Sequence, residues 1–200
     1  MTVSGSVATN FGKYCRHSAW LCFLPLMLAA GAVRAEGLAL AKLMQLLAAA
    51  PQSEVAYTEK KYSALLSEPV ASSGTLAYRR PDTVEKIMLV PRKEVFRIVG
   101  EELVVERKGK ERRIPLASQP VLAAFAASLR GVLAGDVDLL RKHYRLVLTG
   151  EEQAWQLELV PLDEDATRYV ERIVVSGKAG RIGQIEIREG TGDRSVLQIR

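Results

Sequence analysis

The spacing of apolar residues changes several times along this chain, and each change predicts a different kind of element. Residues 19–33 form a nearly continuous apolar run, interrupted only by Pro25 and Gly31. Over residues 37–50 the period becomes helical: Leu40, Leu43, Met44 and Leu47 share a face, Lys42 and Gln45 lie off it, and Pro51 stops it. From about 57 to 116 short apolar runs predict strands at 57–66, 74–80, 84–90, 95–99, 103–107 and 113–116. Pro69, Ser72-Ser73-Gly74, Pro81-Asp82, Pro91, Gly100 and Lys108-Gly109-Lys110 punctuate them. Connections this short join antiparallel neighbours, because parallel strands need long crossovers.

Residues 118–135 return to helix. Pro120 suits a first turn, and Val121, Leu122, Phe125, Leu129, Val132 and Leu133 make the segment apolar nearly all round, with Arg130 its only charge. Asp136 predicts the cap of a short helix, with Asp138 near its start and Arg141 and Lys142 near its end, as the helix dipole favours. Strands resume at 144–149, 154–160, 169–175, 182–188 and 196–199; Trp155, Leu157 and Leu159 alternate with Gln156 and Glu158, the mark of a half-buried sheet. The expectation is an α+β domain of about eleven antiparallel strands and three helices. So large a sheet needs a cover for its apolar face, and few helices are available. Two outcomes stand open: a curved sheet closed incompletely by a helical lid over an apolar concavity, or a lid that completes an ordinary core.

The first 35 residues read as an export signal: Lys13 and Arg16, the apolar run, then the small-residue site Val33-Arg34-Ala35 before Glu36. The run is short for a membrane span, although an uncleaved N-terminal anchor is the alternative. Cys22 follows the bulky pair Trp20-Leu21, which does not suit lipid attachment. The domains expected are therefore a cleaved signal at 1–35 and one exported domain at 36–200. Cleavage would remove both cysteines, His17 and three of the basic residues that give the chain its net charge of +5. The remainder has little basic excess for nucleic acid, no thiol, and one histidine, His143. Zinc or copper sites of ordinary type cannot be built from it, and no cofactor is expected. Asp163-Glu164-Asp165 is followed by no glycine-containing calcium loop and reads as a solvated loop.

Gly74-Thr75-Leu76-Ala77-Tyr78-Arg79-Arg80-Pro81 resembles the G-x-L-x-x-x-R-P strand of LolA-type periplasmic lipoprotein carriers. Tyr57-Thr58-Glu59-Lys60 is similar to that family's opening strand, and Gly100-Glu101-Glu102-Leu103 to a later turn, while residues 118–142 fall where its helical lid lies. Val84 stands where typical carriers have an aromatic, so the chain looks more like the LolA-related branch. The resemblance implies an incomplete antiparallel β-barrel with a helical lid. It also implies a periplasmic, non-enzymatic carrier that shields acyl chains of a lipoprotein or lipid. Such a monomeric carrier would pass cargo between membranes, from an inner-membrane exporter to an outer-membrane acceptor.

Strand alternation puts Tyr78 and Arg80 on one face with Leu76. The family's matching arginine bonds lid backbone, which makes Arg80 the candidate latch; an exposed strand-end arginine is the alternative. Leu76, Tyr78, Val84, Leu122, Phe125, Leu129, Trp155, Leu157 and Leu159 are the acyl-chain candidates, each equally readable as core. Two other functions remain: a periplasmic sensor of lipids or lipoproteins on the same fold, and a hydrolase with His143 as base beside Ser118 or Ser128. The export signal generates a direct test. N-terminal sequencing of protein recovered from the periplasm is expected to begin at Glu36; full-length chain in the inner-membrane fraction would show an anchor instead.

Overall fold

The computed structural model describes residues 38–51 and 54–200, so the expected signal segment 1–35 lies outside the described residues. The first element is α1 (Leu40–Ala49), which buries Leu43, Met44 and Leu47, the three apolar residues of its central stripe. A six-strand meander follows: β1 (Glu54–Tyr62), β2 (Val70–Arg79), β3 (Thr83–Val90), β4 (Glu94–Val99), β5 (Glu102–Arg107) and β6 (Lys110–Pro115). A short 3-10 turn (Leu116–Ser118) leads into α2 (Pro120–Ala134) and α3 (Val137–His143). The second meander is β7 (Tyr144–Glu151), β8 (Ala154–Pro161), β9 (Arg172–Lys178), β10 (Arg181–Arg188) and β11 (Arg194–Ile199), with α4 (Glu164–Thr167) between β8 and β9.

All eleven strands belong to one sheet in the order β6-β5-β4-β3-β2-β1-β11-β10-β9-β8-β7, and every pairing is antiparallel. The β1–β11 ladder, Tyr57 opposite Ile199 through Tyr62 opposite Arg194, joins the two meanders at the centre. β6 and β7 are the two outer strands, and the sheet does not close. The segment between those edges carries α2 and α3. The same chain that connects the edges therefore supplies the cover for the face.

Several local outcomes differ from the sequence reading: β2 begins at Val70 rather than 74, so Ser72-Ser73-Gly74 lies inside it, and β6 begins at Lys110 rather than 113. β1 stops at Tyr62 rather than 66, because the Leu66 amide donates to the Ser63 carbonyl at 3.1 Å and turns the chain early. β9 begins at Arg172 rather than 169, because the amides of Tyr169 and Val170 still donate to Ala166 O at 3.1 and 2.9 Å. The acidic run 163–165 is not a loop: Asp163 Oδ1 accepts from the Ala166 amide at 2.8 Å and caps α4, which buries Ala166. Asp136 caps α3 as its sequence position suggests, accepting from the Leu139 amide at 2.9 Å.

Two apolar clusters hold the fold. The larger packs Leu43, Met44 and Leu47 of α1, Ala124 and Val132 of α2 and Leu140 of α3 against Tyr144, Trp155, Leu157, Leu159, Ile173 and Val175 of β7–β9. The smaller joins Val84, Ile98 and Leu116 to Ala126 of α2. α2 is thus seated on both flanks of the sheet. Its end is shaped by Gly135, in the left-handed region at φ 69°, while the Asp136 amide donates to Gly131 O at 2.8 Å. A Cβ on Gly135 would lie 2.2 Å from Met44 O of α1. Gly135→Ala combines the wrong backbone region with that collision, and is expected to lower unfolding free energy by more than about 1 kcal/mol, read as a reduced denaturant midpoint.

Candidate functional site: an apolar cavity beneath the helices

Between the two clusters the face of the sheet is not filled. The central strands β2, β1, β11 and β10 turn Val55, Leu76, Ile182, Ile185, Ile187 and Ile199 toward the helices, and each remains only partly buried. Above them α2 offers Leu122, Phe125, Leu129 and Leu133, one stripe at spacings of three and four residues, also partly buried. These two surfaces enclose a cavity of about 1090 Å³. That is slightly above the usual ~300–1,000 Å³ of small-molecule pockets. Its walls are mainly hydrocarbon, so its empty form leaves apolar surface without protein cover.

Leu76, Tyr78, Val84, Leu122, Phe125 and Leu129, named from the sequence, all line this cavity, as does Arg80. Trp155, Leu157 and Leu159 do not; they are nearly fully buried in the larger cluster beneath α1. The reason is lateral position. β8 lies on the flank that α1 and α2 cover, and Trp155 is fixed there by donating from Nε1 to Ala179 O at 2.8 Å. Alternation identifies which face a strand residue occupies, but not whether a helix already sits on it.

Two arginines tie helices to the sheet. Arg80 Nη2 donates to Ala48 O and Ala50 O at the C-terminal end of α1. The last turn of α1 holds no basic residue, so a cation supplied from β2's end meets carbonyls that the helix itself cannot satisfy. The latch expected from the family resemblance was to residues 118–142; these two bonds from Arg80 run to α1. Arg130, from α2, donates from Nε to Asp82 O at 3.0 Å and from Nη2 to Gly100 O, with Glu101 beside it at 3.8 Å. It pins α2 to the β2–β3 and β4–β5 turns. Sequence reasoning noted Arg130 only as an isolated charge, yet a lone cation in a helix apolar nearly all round is itself a signal, because its side chain must reach acceptors through packed surroundings.

Arg79, one residue before Arg80, points to the opposite face. It bonds Glu85 at 3.3 Å, and Arg97 approaches the same carboxylate at 2.5 Å. Burial alone would raise Glu85, but hydrogen bonds from Arg97 and then Arg79 hold it below the usual carboxylate range. The cavity wall carries an ion pair, Lys86 with Glu59 at 2.6 Å, steadied by Ser72 Oγ at 3.1 Å from Glu59. Lys86 also lies 5.0 Å from the Tyr57 ring centroid. Burial, followed by the Glu59 charge, pushes the Tyr57 hydroxyl up to about 12. His143 ends α3 half-buried, while Ser118 and Ser128 each donate to a backbone carbonyl three residues back at 2.7 Å. Neither serine donates to an imidazole. No helix among the described residues is long and apolar enough to cross a membrane.

The architecture is an open antiparallel sheet roofed by the helices that join its edges. The family model described as outer membrane lipoprotein carrier protein LolA-like matches residues 30–198, and this chain belongs to that family. Among solved structures it is similar to a LolA superfamily protein from Nitrosomonas europaea, with 14% identity, TM-score 0.46, and coverage of 80% of this chain and 89% of the other. A similar likeness holds for an outer membrane lipoprotein-sorting protein domain from Vibrio parahaemolyticus, at 12% identity, TM-score 0.46, and coverage of 80% and 88%. The lipoprotein LppX of Mycobacterium tuberculosis is a third, at 14% identity, TM-score 0.40, and coverage of 80% and 92%. Among curated proteins none matches the chain.

The arginine contacts differ enough in surroundings to be separated by mutation. Arg130 is 13% exposed in its side chain, whereas Arg79 is 56% exposed. Arg130→Leu leaves two turn carbonyls without their charged donor and should cost about 1.5–3 kcal/mol in urea unfolding. Arg79→Leu should cost under about 1 kcal/mol. Arg80→Leu should accelerate amide hydrogen exchange in α1 without exposing the sheet.

Proposed function

We propose that this protein is a periplasmic, non-enzymatic carrier that holds the acyl chains of a lipoprotein or lipid in the cavity beneath α2 and passes them between membranes. The observation that supports this is where the hollow lies. The helices pack against both flanks of the sheet and leave a hollow over the four central strands, lined mainly by isoleucine, leucine, valine and phenylalanine. Burying hydrocarbon is favourable by roughly 0.8 kcal/mol per methylene, which gives a long acyl chain a resistance to entering water on the order of 10 kcal/mol. A carrier must meet that with comparable apolar surface and then give the chain up. Helices held at a few points by Arg80 and Arg130, rather than fused to the sheet centre, suit both requirements. Transfer then runs down an affinity gradient from an inner-membrane exporter to an outer-membrane acceptor, with no bond made or broken in the cargo.

Cavity residues and core residues should respond oppositely to truncation. Phe125→Ala and Leu129→Ala are expected to weaken binding of a fluorescent acyl probe severalfold, with a small change in the denaturant midpoint of the lipid-free protein. Leu159→Ala, which removes a fully buried side chain, should cost about 2–5 kcal/mol of stability with little effect on probe affinity. If Phe125→Ala and Leu129→Ala instead lower stability strongly and leave probe binding unchanged, the cavity is part of the core and the carrier assignment fails.

A further inference from the structure

The end of the sheet opposite Arg80 carries an apolar surface that the cavity does not explain. In an antiparallel meander alternate connections fall at the same end, so the β1–β2 loop at 63–69, the β3–β4 turn at 91–93 and the β5–β6 turn at 108–109 lie side by side. The first of these exposes Leu65 at 93% and Leu66 at 49%, and the strand ends beside it expose Val70 at 49%, Leu89 at 53% and Val90 at 55%. Val90 is paired with Ser73, three residues along β2 from Val70, so the two groups are continuous. Five large aliphatic side chains held in water at one margin of a sheet exceed the scattered exposure that needs no explanation.

The neighbouring turns are basic. Arg92 and Lys93 occupy the β3–β4 turn, and Lys108 and Lys110 flank Gly109 in the β5–β6 turn. None of these four is in a salt bridge among the described residues, whereas Arg107 between them is paired with Glu94 at 2.9 Å. Glu68 in the first loop and Glu106 in β5 are the opposing unpaired carboxylates nearby. With strands spaced about 4.8 Å apart, the apolar loop and the cationic turns share a margin roughly 15–20 Å wide.

We propose that this margin is a docking edge for an anionic lipid surface. Leu65, Leu66, Leu89 and Val90 would enter the boundary between head groups and acyl chains, and Arg92, Lys93, Lys108 and Lys110 would meet lipid phosphates. The chemistry is that of a peripheral contact, in which aliphatic insertion and cation–phosphate attraction each supply part of the affinity. A protein partner would need acceptors for four separate cations in addition to a groove for the leucines; a bilayer surface offers both without a fixed register. The edge is distinct from the cavity and does not depend on what the cavity holds.

Vesicle co-sedimentation of the purified protein tests this. Binding is expected to vesicles containing phosphatidylglycerol, to be much weaker on pure phosphatidylcholine, and to fall as salt rises. Leu65→Ser with Leu66→Ser, and separately Lys93→Gln with Lys108→Gln, should each reduce partitioning by about tenfold or more. Both pairs should keep the wild-type melting temperature and acyl-probe affinity, which separates this surface from the carrier site. Absence of binding to anionic vesicles at low salt, or equal partitioning of wild type and both double variants, would overturn the proposal. So would vesicle binding that is lost on Phe125→Ala but retained in the loop variants, since the cavity would then be the membrane contact.

Discussion

The β1–β11 ladder sets the width of the sheet, and the width sets everything that follows. Each meander alone would be a sheet of five or six strands that two helices could cover. Joined edge to edge by the pairing of Tyr57 with Ile199 and its neighbours, they form a face that α1, α2 and α3 reach only at the sides. The hollow is therefore a geometric remainder. It lies over the central strands because the helices arise from the outer ones: α2 leaves from β6 and α3 delivers the chain into β7.

The two anchoring arginines follow from the same arrangement. A helix that cannot pack along its whole length needs discrete attachment, and charge-assisted bonds to backbone carbonyls provide it without filling the space beneath. Arg80 reaches upward from a strand end to the carbonyls of α1, and Arg130 reaches downward from α2 to the turns at Asp82 and Gly100. The polar pair Glu59–Lys86 is tolerated on an apolar wall because each member neutralises the other and Ser72 satisfies a further oxygen.

Much of the fold was legible in the amino-acid sequence because its punctuation is local. Prolines and glycines separate the runs, and period-two alternation put Leu76, Tyr78 and Arg80 on one face. The shortage of helical cover was also readable by comparing the number of strands with the number of helices. Three features were not readable. Trp155, Leu157 and Leu159 alternate as regularly as the central strands do, and only the lateral order of strands places them under a helix. The partner of Arg80 depends on where α1 folds back, which no spacing within β2 encodes. The capped helix at Asp163 was obscured by its three consecutive acids, whose capping role requires the chain to turn immediately after β8.

The ladder that defines the sheet also has a kinetic side. Nearly every other strand pair is a hairpin between sequence neighbours, whereas even the nearest residues that β1 and β11 bring together, Tyr62 and Arg194, are separated by most of the described chain. Closing so long a loop adds only modestly to the entropy cost, since that cost grows with the logarithm of loop length. Its effect on speed is larger, because non-local pairing repays nothing until it is complete. The two meanders can each form early, but until the last strand arrives β1 has one unpaired margin facing water. During that interval the future floor of the cavity is an open β edge, competent to pair with another copy of itself, and contact order rather than stability governs how long that exposure lasts.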